Sequence, residues 1–211
     1  MPETNPPHDC PRCPRLVEFR HDNRRNYPDF FNGPVPNWGD AEPGLMIVGL
    51  APGLKGANRT GRPFTGDYAG DLLYATLRKF GLAAGLYDKR PDDGLALEGV
   101  LIANAVRCVP PQNKPTGDEI KTCRPFLAAT IAVHKPRAYL VLGRIAHDTL
   151  LTTLGERRAS FPFAHGAEHH LTSGARLFDS YHCSRYNTNT GVLTTAMFED
   201  VVGRAAQAVG E

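Results

Sequence analysis

The chain has 211 residues, the length of one ordinary domain, and Lys+Arg 24 against Asp+Glu 22 leaves a formal charge of only +2. At 22% charged it has neither the bias of a disordered tail nor a histone-like cationic density, so any nucleic-acid site must be local. Apolar residues reach 41%, enough for one core, while Gly 21 and Pro 18 announce long loops.

No stretch approaches the ~20 apolar residues needed to span a bilayer, and MPETNPPHDC lacks the apolar core of an export signal. The expectation is a soluble, cytoplasmic protein, nucleoid-associated if bacterial, with no membrane partner. Five Cys is an odd number for a disulfide framework, so metal binding is the better default.

In chain order, residues 1–43 read as a polar, Pro-rich arm carrying Cys10-Pro-Arg-Cys13. Leu45-Met-Ile-Val-Gly-Leu is short, apolar and followed by Ala51-Pro52-Gly53, the pattern of a buried parallel strand ending in a loop. Leu73, Leu77 and Phe80 then mark a helix that stops at Gly81. Residues 99–106 read as the second strand, and Thr116-Gly-Asp-Glu119 is a capping box opening a helix through Ile120, Cys123, Leu127 and Ile131. A strand over 138–142, a helix over 144–154 and a strand over 176–181 follow. The last helix, 194–209, puts Met197, Val201 and Ala205 on one face.

This alternation predicts an α/β fold: three layers, α/β/α, around a mostly parallel four-stranded sheet. One domain spans 1–211, and the chemistry belongs in loops at the strands' carboxyl ends.

Cys10, Cys13, Cys108 and Cys123 make a soft four-cysteine ligand set suited to Zn²⁺ or to an iron–sulfur cluster, and spacing alone does not choose. A redox Cys-x-x-Cys or unrelated buried thiols stay open, and Cys183 has no spaced partner.

Three loops draw attention. Residues 43–66 hold Lys55, Arg59 and Arg62, no acid and many glycines, which suits phosphate approach. The Walker pattern fails there, because Arg62-Pro63 stands where Lys and Ser/Thr are needed. Phe64 and Asp67 lie close together at the loop's end, readable as an aromatic face beside a carboxylate or as a core Phe before a helix-start Asp. The second loop carries Asn113, and the third carries His182, Arg185, Tyr186 and Asn187. His182 could donate to an anionic leaving group or be structural. His165-Gly-Ala-Glu168-His169 fits an inverted zinc-protease pattern, but Pro162, Gly166 and Gly174 make a poor helix for it.

Gly49-Leu-Ala-Pro-Gly53, Gly56-Ala-Asn-Arg-Thr-Gly-Arg-Pro-Phe-Thr-Gly-Asp67 and His182-x-Ser-Arg-x-Asn187-Thr resemble type-B (family five) uracil-DNA glycosylases. Cys10-Pro-x-Cys13, Asn104-Ala-Val-Arg-Cys108 and Cys123-Arg-Pro extend the likeness over almost the whole chain. Leu50 and Ala51 stand where other types of the superfamily carry an acid, which marks type B, while Cys183 departs from the family's usual residue.

The resemblance implies hydrolytic excision of uracil and related bases (hypoxanthine, ethenocytosine, hydroxymethyluracil) from single- or double-stranded DNA by a monomer. It implies Asp67, Asn113 and His182 as catalytic residues, and Gly49, Ala51, Phe64, Asn104 and Asn187 beside the base. Lys55, Arg59, Arg62, Arg185 and Tyr186 would grip DNA. Cys10, Cys13, Cys108 and Cys123 would hold a [4Fe-4S] cluster, with zinc as the alternative. The rival expectations are a non-catalytic four-cysteine metal protein that binds nucleic acid without releasing base, and an electron-transfer protein.

Overall fold

The computed structural model describes residues 3–210. Four buried strands form the centre: β2 (Leu45–Gly49), β5 (Val100–Asn104), β6 (Ala138–Leu142) and β8 (Arg176–Ser180). All four run parallel, as short apolar strands covered on both faces should.

The sheet has six strands rather than the four expected. Trp38–Gly39 (β1) pairs antiparallel outside β5, and Glu168–His170 (β7) pairs antiparallel outside β8, giving the order β1-β5-β2-β6-β8-β7. Ala83–Ala84 (β3) and Ala96–Leu97 (β4) form a separate two-stranded ribbon.

Strand alternation divides the core. Leu45, Ile47, Val100, Ile102, Leu140 and Phe178 face one layer, made by α3 (Tyr68–Lys79) and α7 (Thr195–Gly210). Met46, Val48, Ala103, Tyr139, Val141 and Leu177 face the other, where α4 (Gly117–His134) and α5 (Arg144–Leu154) supply Leu127, Ala146, Leu150 and Leu151. At the start of α4 the capping box forms as read: Thr116 accepts from the Glu119 amide and Glu119 from the Thr116 amide.

The arm contains a helix the sequence reading did not mark, α1 (Pro14–Asn26), opened by a proline at its first position. Direct polar contacts hold it. Arg15 forks onto Glu119 at 2.8 and 2.7 Å, and Asn37 donates to Thr130 at 2.9 Å while its backbone amide donates to Asn5 at 2.7 Å. All five cysteines are free of disulfide bonds. Among the described residues no helix is long and apolar enough to cross a membrane.

Candidate active site

The loops leaving the carboxyl ends of β2, β5 and β8 enclose a cleft of about 580 Å³, a size suited to one small ligand. Ala51, Lys55, Phe64, Asp67, Asn104 and Asn113 line it together with His182 and Arg185. Short helices α2 (Ala57–Thr60) and α6 (Arg185–Asn189) lie in the first and third of these loops.

Phe64 is the buried wall of the cleft. Its backbone sits at φ 50°, a left-handed conformation uncommon for an aromatic residue. The ring packs against Gly49, where a Cβ would fall 2.8 Å from Phe64 Cζ and 2.4 Å from Asn104 Oδ1. Gly49 is therefore required for Phe64 and Asn104 to meet at the cleft floor.

Asp67 occupies the N-cap position of α3 but makes no side-chain cap bond. The carboxylate turns into the cleft instead, with Oδ1 buried and without a protein partner. Oδ2 lies against two glycines: a Cβ on Gly56 would come within 2.2 Å of it and one on Gly53 within 3.2 Å. Asn104 Oδ1 is a second buried acceptor without a partner. Two orphaned oxygens in one cleft are unusual in a folded interior and mark a place where a ligand supplies the donors.

His182 completes the wall, its ring 5.9 Å from that of Phe64 at 31° between planes. Burial lowers its pKa below the ordinary 6.5, against the raising effect of the Asp67 charge, so the imidazole is neutral near pH 7. Its loop is fastened on both sides: Asn187 donates its amide to the His182 carbonyl at 2.8 Å, and the Cys183 thiol donates to Ala69 at 3.4 Å.

Other expected residues fall into three groups. Lys55 and Arg185 are exposed at the cleft, the latter stacked 5.4 Å over Tyr68, and Tyr186 projects beside them at 74% exposure. Arg59 is exposed and binds the carbonyls of Lys55 and Gly66, bracing the loop. Asn187 donates to the His182 carbonyl from beside the cleft. One assignment is corrected. Arg62 is buried, forks onto Asp93 with two bonds of 2.8 Å and stacks 4.8 Å over Trp38, so it is withdrawn from any DNA surface. Tyr68 lines the cleft without having been singled out, since it carries no spacing signal, and Ser184 lines it from within the His182-x-Ser-Arg motif, where it was given no role.

The zinc-protease pattern dissolves as expected: His165 accepts from the Tyr181 amide, whereas His169 lies on β7 and points to Asp179. His147, His169 and Asp179 do bring ligand atoms within 4.8 Å of one another. His147, however, faces an acceptor with each nitrogen, Asp179 Oδ1 at 2.7 Å and Phe161 O at 2.9 Å, a spacing that suits shared protons.

Cys10, Cys13, Cys108 and Cys123 line a common cavity with Leu16, Arg20 and Phe126. Among the described residues no three of their sulfurs fall within 4.8 Å of one another. Burial pushes the Cys13 thiol up to about 11 and Cys108 up to about 12, so a cationic centre is needed to hold them as thiolates.

Comparison with known proteins gives this geometry a family. Residues 36–205 match the model of the uracil DNA glycosylase superfamily. A type-5 uracil-DNA glycosylase of Thermus thermophilus is 43% identical over 95% of this chain and 94% of its own. Those of Pyrobaculum aerophilum and Mycobacterium leprae are 41% and 42% identical, covering 90% and 92% of their own chains and 96% and 95% of this one. A type-4 enzyme of Pyrobaculum aerophilum is 35% identical over 71% of this chain. The chain belongs to the uracil-DNA glycosylase superfamily, in its type-5 branch.

Proposed function

We propose that the protein swings uracil and related deaminated or modified bases, among them hypoxanthine, ethenocytosine and hydroxymethyluracil, out of DNA and hydrolyses the bond to deoxyribose. An abasic site is left. As a member of its family the chain is a hydrolase of N-glycosidic bonds; the base range and the residue roles are the proposal. One observation carries it: an aromatic wall, a carboxylate and a neutral imidazole, Phe64, Asp67 and His182, converge in one cleft.

Extruding a base costs a few kcal/mol, least where pairing is already weak, and the flipped base stacks on Phe64. The partnerless Asn104 Oδ1 is suited to accepting from the base's hydrogen-bonding edge. As the glycosidic bond breaks, negative charge grows on the base carbonyl and positive charge on the sugar. A hydrogen bond from neutral His182 opposes the first, and the Asp67 carboxylate opposes the second. Asn113, held at φ 58° on the cleft rim, orients the attacking water. Lys55, Arg185 and Tyr186 hold the strand, single or paired, against one monomer.

Cys10, Cys13, Cys108 and Cys123 fit a [4Fe-4S] cluster better than zinc. A single tetrahedral Zn²⁺ would draw the sulfurs to ~3.8 Å, whereas among the described residues no three of them fall within 4.8 Å of one another. Hydrolysis moves no electrons, so the cluster would supply only a link between the arm and the Cys108 loop.

The test incubates pure protein with single- and double-stranded oligonucleotides bearing each base, then cleaves abasic sites with alkali. Strand breaks at uracil are expected first. DNA binding without breaks would favour the non-catalytic metal protein, and breaks at uracil alone would remove the wider range.

A further inference from the structure

The loop between β3 and β4 never enters the cleft, yet it is built against the back of Phe64. Tyr87 is its contact residue: the hydroxyl donates to the Phe64 carbonyl at 3.2 Å and lies 3.5 Å from the Gly66 amide. Beneath it, Arg62 is clamped by Asp93 and capped by three rings, Trp38, Tyr74 and Tyr87, at 4.8 to 5.9 Å. Asp93 also accepts from the amides of Asp88 and Leu95, so one buried carboxylate sets both the guanidinium and the loop's own turn.

Gly70, in the first turn of α3, marks how closely these parts are fitted. Ala would be the better helix former, but its Cβ would stand 1.9 Å from the Phe64 carbonyl and 2.3 Å from the Tyr87 hydroxyl. Phe64 is thus held in its left-handed conformation from behind, by groups that touch no part of the cleft.

We infer that Tyr87 is a positioning residue for base excision, fixing the Phe64 ring at the depth where an extruded base must stack. The inference rests on the reading of Phe64 as the stacking wall, and the experiment separates the two. Tyr87→Phe keeps the ring, its tilted packing against Tyr74 and its place over Arg62, and removes only the hydroxyl.

Single-turnover uracil release and DNA affinity are measured for Tyr87→Phe, Phe64→Leu and the double variant. Emission of Trp38, the sole tryptophan and a wall of the Arg62 cage, serves as the monitor of folding. Tyr87→Phe is expected to slow release ~10-fold with affinity within about twofold and Trp38 emission unchanged. In the Phe64→Leu background the same change should add little, because the ring it positions is gone. Wild-type release by Tyr87→Phe, or an equal loss in both backgrounds, overturns the role of Tyr87. Undiminished release by Phe64→Leu instead overturns the stacking wall beneath it. Gly70→Ala supplies a second route: it should reproduce the Tyr87→Phe defect, and full activity in that variant would also contradict the inference.

Discussion

In the proposed mechanism Asp67 and His182 divide the charge that develops as the glycosidic bond breaks, and they do so unequally. The carboxylate faces a sugar that approaches a full positive charge, whereas the neutral imidazole adds one hydrogen bond to an anion already spread over the base ring. Asp67→Asn should therefore slow single-turnover uracil release by ~10²–10³-fold and His182→Ala by ~10-fold. The reverse order would contradict this division. Because burial lowers the His182 pKa, ionisation of its ring should place no limb on the alkaline side of neutrality in the rate profile. A limb near pH 8 that disappears in His182→Ala would show the opposite. Lys55 and Arg62 provide a second contrast. Lys55→Ala should weaken DNA binding and reduce its salt slope by about one, with stability unchanged. Arg62→Ala should leave Asp93 buried and unpaired and cost ~3–5 kcal/mol in denaturant unfolding. In the sequence the two cations share one acid-free loop and look alike. The partner that separates them, Asp93, lies 31 positions away, and long-range pairing leaves no local trace.

At the scale of elements, legibility followed burial and length. The four central strands are runs of five residues, almost all buried, and their apolar character announces them. The strands β1 and β7 have two and three residues, too few for any period to register, and α1 hides in a stretch whose exposed polar face outweighs Leu16. Glu168 and His169, read as part of a metal motif, serve as an edge strand whose imidazole meets Asp179. That contact carries a test. Burial lowers the His147 pKa, but the bond and charge of Asp179 and the Phe161 carbonyl outweigh it, so the folded value lies above 6.5. A raised folded pKa stabilises fully below the unfolded value and is lost as pH climbs through the folded one. The urea midpoint of the wild type relative to His147→Gln should thus fall as pH rises above the unfolded value of 6.5. A difference that grows with pH would refute the imidazolium.

For the molecule as a whole, a net charge of +2 gives little long-range steering to DNA, and the proposal assigns affinity to the few cations at the cleft mouth. The arm reaches that end of the sheet through polar contacts, and the cysteine cavity lies between it and α4. The proposed cluster predicts that Cys108→Ser loses iron and visible absorbance and has a lower thermal midpoint, while release per folded molecule stays within about threefold. Abolished chemistry in a folded variant would contradict a purely linking role for the proposed cluster. The most direct measurement is chromatographic detection of free uracil from a U·G duplex under single turnover, for wild type and Asp67→Asn. Free uracil equal to the abasic sites formed, and its strong slowing in the variant, is the expected result. Tight binding of the duplex with no uracil released, or undiminished release by Asp67→Asn, would contradict the assignment of this cleft as the site of base excision.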